Sequence, residues 1–163
     1  GGLTVRATSG ALVGPPWQRR ENGYVVSGTR AGQSRGGGDP KTCPTVYIEP
    51  HVEFSPEELR SIASDVDIVI TPVSGQELGV GFAPGFELVH GPGDTLKLLD
   101  VLRPKYVLPM RNGAIDAEGP LSSLVREVGS EKELERRLQS KNWGKAIKLV
   151  DVIPGKDVMV KLE

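Results

Sequence analysis

The stretch VDIVITPV, residues 66 to 73, decides the fold class of this chain. It is short, apolar and rich in β-branched residues, as expected of a strand that is buried on both faces. Two similar runs, VYIE (46 to 49) and YVLPM (106 to 110), lie on either side of it in the sequence. A sheet built from such strands needs cover on both faces.

Helices are predicted between these strands. SPEELRSIASD (55 to 65) begins with Ser55 as a candidate N-cap and Glu58 as its capping-box partner. GPGDTLKLLDVLRP (91 to 104) is the second helix, and its leucines should share one face: Leu96, Leu99 and Leu102. Strand-helix-strand units of this kind predict an α/β domain.

The remaining segments extend the same architecture. Further strands are predicted at 3 to 8, 23 to 28, 45 to 49, 85 to 91 and 105 to 110, with the second and third of these forming a hairpin. Surface helices are predicted at 119 to 129 and 130 to 140. Residues 145 to 163 read as two strands around the turn Pro154-Gly155, which closes the domain.

Composition limits the classes of function. The 163 residues suit one domain, and the formal net charge of -1 gives no electrostatic case for nucleic acid. The single cysteine, Cys43, excludes an internal disulfide and a cysteine-based zinc site. No apolar stretch is long enough to span a membrane. Residues 29 to 44 are rich in glycine and predict a flexible loop, and the start inside a strand suggests that an N-terminal portion is missing.

The order of five segments resembles the C-terminal half of a metallo-β-lactamase-fold hydrolase, an αββα sandwich of two similar halves. The segments are VRATSGALVGPPW, VYIEPHVEF, VDIVITPV, HGPGDTLKLL and VLPMRNG. The resemblance covers roughly residues 3 to 116 and the closing hairpin, and it is closest to branches that include lactonases and phosphodiesterases. GALVGPPWQRRENGY also resembles a branch from photosynthetic organisms.

The resemblance implies three metal-ligand positions in this half, and most of them have changed. The position of the first ligand falls near Leu12, and that of the metal-bridging aspartate falls at or beside His51. The final histidine of the family is replaced by Arg111, a fixed cation that does not bind zinc. The family's HxHxDH motif belongs to the other half and is absent from this chain. The resemblance therefore implies that the location of the family's metal site is retained, whereas most of its ligands in this half are replaced and the site is degenerate.

His51 is the remaining candidate for a metal ligand, with Glu49 as a possible companion two residues earlier. Pro50 should end the strand between them, which makes a shared direction of their side chains doubtful. Two other interpretations stay open. His51 either makes a hydrogen bond at the strand end or contacts a substrate.

Three further residues are candidates for the edge of a cleft. The resemblance implies that His90, before GPGD, shapes the rim of the pocket. Arg111 and Asn112 follow a buried strand, where Arg111 could bind an anion or replace the charge of a lost metal by pairing with Glu49 or another acidic side chain. Each could also be an ordinary polar group that closes a strand.

Two classes of function remain. A degenerate, hydrolase-like pseudoenzyme would act as a binding or assembly module, whereas an active metal-dependent hydrolase of an ester, lactone or phosphodiester would need ligands from an N-terminal segment. No cofactor is expected for this chain alone, and zinc or another divalent metal is expected if the N-terminal half is present. The expected partner is that half or another protein chain. The resemblance places the protein in a soluble, intracellular setting, the chloroplast stroma being one possibility.

Overall fold

The structure, a computed structural model, describes residues 2–13, 17, 19–29, 43–62, 66–79, 86–111 and 124–162. Its elements are mixed helices and strands, so the α/β class is confirmed. The strands of the main sheet are β1 (Gly2–Thr8), β2 (Gly23–Thr29), β3 (Thr45–Ile48), β4 (Ile68–Pro72), β7 (Tyr106–Met110) and β9 (Lys148–Leu149). A smaller sheet contains β5 (Gly75–Leu78), β6 (Phe86–Val89) and β8 (Val125–Val128).

The main sheet has the order β1-β2-β3-β4-β7-β9. The strands β1, β2 and β3 pair antiparallel, and β3, β4, β7 and β9 pair parallel. The predicted hairpin of β2 and β3 is confirmed. Strand β3 ends immediately before Glu49 and Pro50, because proline has no N–H to donate to the ladder. The small sheet has the order β6-β5-β8.

The three helices cover one face of the main sheet, which we call the covered face. They are α1 (Pro56–Arg60), α2 (Pro92–Leu102) and α3 (Glu131–Gln139), with a short 3₁₀ helix at Gly144–Ala146. Ser55 and Ser130 accept hydrogen bonds from Glu58 N and Glu133 N, as the capping signals predicted. The sheet side of this core is formed by Val25, Tyr47, Val69 and Val107. None of these helices, in the part of the chain that the structure describes, is long and apolar enough to cross a membrane.

The opposite side of the main sheet, which we call the open face, is also apolar. The strand register places these side chains on it: Leu3, Val5, Tyr24, Val26, Val46, Ile48, Ile70, Leu108 and Met110. Leu3 is 68% exposed, Val5 56% and Tyr24 41%. The described helices do not pack there, since their buried residues join the core of the covered face.

Two local predictions were wrong, and a third was incomplete. Residues 125–128, expected in a helix, form β8, because they find a pairing partner in β5, a strand that the sequence had not indicated. The closing hairpin is not formed, since β9 spans two residues and no strand is assigned to the described residues that follow it. The predicted apolar face of α2 is present but incomplete: Leu99 and Leu102 are fully buried, Leu96 is partly buried against the same core, and Leu98 is fully buried as well.

Several predictions fall on residues outside those described. They include residues 30–42 of the glycine-rich loop, and Asn112 with the segment that follows it.

Candidate functional site

His51 lies in the turn that follows β3, and both of its ring nitrogens are engaged. Its Nε2 lies 2.9 Å from Glu21 Oε2, and its Nδ1 lies 3.2 Å from the backbone oxygen of Leu88. Both partners are hydrogen-bond acceptors, and a neutral imidazole carries one N–H, so the tautomer sets which of the two contacts is a donated hydrogen bond. Each ring nitrogen faces a protein oxygen at hydrogen-bond distance. This is the geometry that the hydrogen-bonding interpretation of His51 requires.

The turn around His51 is held by backbone contacts. Val52 adopts a left-handed conformation with φ of 59°, which a β-branched residue rarely does. The backbone N–H of His90 donates to His51 O at 3.0 Å, so the loops that carry the two histidines are joined directly. The main chain thus places His51 beside the small sheet.

Glu49 belongs to a buried polar network below this turn. Its carboxylate is 0% exposed and accepts hydrogen bonds from the Tyr47 hydroxyl at 2.8 Å and from His51 N at 3.3 Å. Thr8 Oγ1 lies 3.2 Å from the same hydroxyl. Burial raises the pKa of Glu49, although the hydrogen bond from Tyr47 partly offsets the effect. Glu49 therefore contacts the backbone of His51, and its carboxylate supports the turn.

Gly23, the first residue of β2, leaves the space that this polar network occupies. A Cβ at that position would lie 2.6 Å from Thr8 Oγ1, 2.6 Å from Tyr47 OH and 2.8 Å from Glu49 Oε2. These separations are too short for a carbon atom. The close approach of three polar groups to the backbone requires glycine there.

His90 forms a second cluster at the start of α2. Its Nδ1 lies 3.1 Å from Glu87 Oε2 and 3.0 Å from Asp94 Oδ2, and Lys97 Nζ donates to Asp94 Oδ1 at 2.7 Å. Burial alone would raise the pKa of Asp94, but the hydrogen bonds from Lys97 and His90 outweigh it and lower that pKa. Glu87, His90 and Asp94 are, among the described residues, the group whose ligand atoms lie close enough together to hold a metal, all within 4.8 Å of one another.

A cleft of about 580 Å³ opens beside His90, between the small sheet and the loops that follow β1 and β3. Its lining combines Leu12 with three carboxylates and a cation: Glu53, Glu77, Glu87 and Arg20, next to Phe86 and His90. Arg20 is paired with Glu53, whose other oxygen accepts from Leu12 N at 2.9 Å. Leu12 and His90 thus line the same cleft.

Arg111 pairs with acidic side chains other than Glu49. Its guanidinium donates to Glu131 at 2.9 and 3.1 Å, to Asp151 at 2.7 Å and to Val152 O at 3.0 Å. The hydrogen bonds to Glu131 and Asp151 raise the pKa of Arg111. Of the two partners left open by the sequence, Glu49 or another acidic side chain, the second is the one observed. With two carboxylates bound, this cation links the end of β7 to the start of α3.

Sequence reasoning missed the carboxylates that surround the two histidines. Asp94 had a local signal, because it follows His90 by four residues and opens a helix. Glu21 had none, since it precedes His51 by 30 residues and meets it only through the fold. Glu87 lies on the edge strand β6, which brings it beside His90.

Comparisons with known proteins give structural likeness alone. No protein-family model matches the chain, and no curated protein sequence does. Among solved structures, isothiocyanate hydrolase from Delia radicum gut bacteria is similar, with 17% identity, a TM-score of 0.49, and 91% of this chain covered against 52% of that one. A putative Zn-dependent hydrolase of the metallo-β-lactamase superfamily from Thermotoga maritima has 15% identity, a TM-score of 0.42, and coverage of 80% and 60%. The chain spans little more than half the length of these structures.

Proposed function

We propose that this chain forms the C-terminal half of a metallo-β-lactamase-like domain with a degenerate metal site, and that it acts as a binding or assembly module. The order of its sequence motifs supports the family. The contacts of His51 support the loss of metal binding, because both ring nitrogens face protein oxygens at hydrogen-bond distance. The chloroplast setting is part of the same proposal and rests on the sequence resemblance.

The residues at the expected ligand positions do not fit a metal. Leu12 has no ligand atom in its side chain, and Arg111 is a cation held by Glu131 and Asp151. Glu49 is directed at Tyr47 and at the backbone of His51. A zinc site usually needs three or four protein ligands, and these positions supply fewer.

The open face supports the assembly part of the proposal. Leu3, Val5 and Tyr24 are large apolar residues on neighbouring strands, and each is more than two-fifths exposed. A contiguous apolar surface of this kind usually marks an interface. We assign it to the N-terminal half of the same protein, packed sheet against sheet, with another protein chain as the alternative partner.

Metal analysis of purified residues 1–163 tests the degenerate site. After expression with added zinc, iron and manganese, we expect far less than one metal ion per chain by mass spectrometry. Near-stoichiometric metal would contradict the proposal. In that case His51→Ala and His90→Ala variants would identify which cluster holds the ion.

One observation favours an active metal-dependent hydrolase as the second candidate. Glu87, His90 and Asp94 present three suitable ligand atoms beside an open cleft. Further ligands would come from an N-terminal segment. Loss of bound metal in His90→Ala, with retention in His51→Ala, is the result that this second candidate requires.

A further inference from the structure

We propose that the groove between β9 and the C-terminal segment binds an extended, acidic peptide, which adds a strand to the open edge of β9. The groove holds about 690 Å³ and is bounded by Lys148 to Val150 on one side and by Met159 to Lys161 on the other. It is separate from the histidine clusters. The inference does not depend on whether a metal binds there.

The edge of β9 is available for pairing. Lys148 N donates to Lys105 O and Val150 N donates to Val107 O, both at 2.9 Å, so these two residues use their backbone groups to hold β7. Alternate residues of a strand direct their backbone groups to opposite edges. The N–H and C=O of Leu149 therefore point away from β7, where the described part of the chain has no further strand.

The C-terminal segment forms a wall of the groove without pairing with β9. The Tyr106 hydroxyl donates to Lys161 O at 2.5 Å, which ties the segment to β7. No strand is assigned to described residues beyond Leu149, and the side chain of Met159 is 89% exposed. An exposed apolar wall beside an unpaired edge is suited to an incoming strand, because recognition by strand addition combines main-chain hydrogen bonds with side-chain contacts.

The charge of the groove specifies an acidic occupant. Three lysines line it, and none of the lining residues is acidic, in a chain whose formal net charge is -1. Lys105 is already paired with Asp67 at 3.5 Å, whereas Lys148 lies over the Tyr106 ring at 5.8 Å. Lys148 and Lys161 therefore supply the charge that a ligand would meet. Opposite charges across an interface favour association and fix the register.

The apolar walls favour a peptide over a small anion. The groove is also lined by the apolar residues Leu149, Val150, Met159 and Val160. A lone carboxylate or phosphate would use the lysines and leave these walls and the strand edge exposed. A peptide with alternating acidic and apolar residues would use all three features, because successive side chains of a strand point to opposite faces.

Fluorescence anisotropy with the full-length protein tests this proposal. The probe is a fluorescein-labelled, end-blocked octapeptide in which Glu and Val alternate, and the comparison peptide has Lys in place of Glu. We expect the acidic probe alone to bind, more weakly at high salt. Lys148→Glu with Lys161→Glu should weaken binding at least about tenfold, as expected when close charge pairs become repulsive. The matched control, Lys132→Glu with Lys141→Glu, should change it less than about twofold.

Changes in amide chemical shifts on addition of the probe locate the binding site. If the charge-reversal variant does not fold, the neutral variant Lys148→Gln with Lys161→Gln replaces it in the binding measurement. Shifts at 148–150 and 159–161 support the proposal. It is overturned by absence of binding, by equal binding of the lysine peptide, by unchanged affinity in the groove variants, or by shifts elsewhere. Equal competition by free glutamate would identify a simple anion site and also overturn it.

Discussion

At the scale of single residues, the site is organised by a buried carboxylate. Glu49 has no solvent exposure, yet it carries a group that is normally charged. Its contacts with Tyr47 and with the backbone of His51 compensate part of the cost of burial. Burial and the nearby Glu49 carboxylate in turn raise the pKa of Tyr47, so the phenol stays a donor. The network therefore stabilises the turn that carries His51.

Glu49→Gln should change the pH dependence of stability. Folding raises the pKa of Glu49 above its ordinary value. The stability that this carboxyl contributes is therefore complete at pH values below the ordinary pKa, and it is lost as pH rises through the raised pKa of the folded state. Glutamine cannot ionise and has nearly the same shape. Relative to the wild type, the variant should therefore become more stable as pH rises above the ordinary pKa of a glutamate and through the raised pKa of Glu49, as measured by urea unfolding of the full-length protein.

The control for this experiment is Glu135→Gln, which changes an exposed carboxylate on α3. It should leave the pH profile close to that of the wild type. If wild type and Glu49→Gln show the same profile, the buried carboxylate does not carry the pH dependence.

At the scale of secondary-structure elements, α2 shows how the tertiary contacts choose a helix face. The spacing of Leu96, Leu99 and Leu102 indicated one apolar stripe, but Leu98 is the residue with 0% exposure alongside Leu99. The helix is wedged between α1, α3 and the sheet, and so needs apolar cover on more than one side. A wide buried surface includes Leu98 and leaves Leu96 at its margin.

Leu98→Ala should lower the free energy of unfolding by about 3 kcal/mol, because it removes a fully buried side chain and leaves a cavity. Leu96→Ala, its matched control on the same helix, should cost about 1 kcal/mol, since that side chain is only partly buried. Urea unfolding of both variants in the full-length protein measures the difference. Equal losses, or a larger loss for Leu96→Ala, would show that the sequence-derived face was right.

At the scale of the whole molecule, the open face of the main sheet is the dominant feature. The two faces have similar apolar composition, because in β3, β4 and β7 apolar side chains point to both faces of the sheet. Helices α1, α2 and α3 bury the covered face. The sheet is therefore built for cover on both sides, and the described helices provide it on one.

Residues 1–163 expressed alone should bind an apolar fluorescent dye and self-associate, because the open face exposes large apolar side chains. Val5→Lys should reduce both effects, as it places a charge on that face. Thr4→Lys is the control, since Thr4 precedes Val5 on β1 and points to the other side of the sheet. Size-exclusion chromatography and dye fluorescence measure the outcome, and a monomer that melts cooperatively without dye binding would contradict the assignment.

Local sequence determined most of the elements. Apolar runs rich in β-branched residues placed β3, β4 and β7, and the serines at 55 and 130 marked the starts of α1 and α3. Pro50 ended β3 where expected. These features depend on the backbone chemistry of neighbouring residues, so they can be read without knowing the fold.

Tertiary structure alone decided the features that depend on distant partners. Residues 125–128 became a strand because β5 offered a partner, and the segment after β9 stayed unpaired with Tyr106 holding Lys161. The same is true of the site. Glu21 meets His51 across 30 residues of sequence, and Arg111 binds Glu131 and Asp151. Side-chain pairing of this kind is set by three-dimensional proximity, and residue spacing along the chain does not encode it.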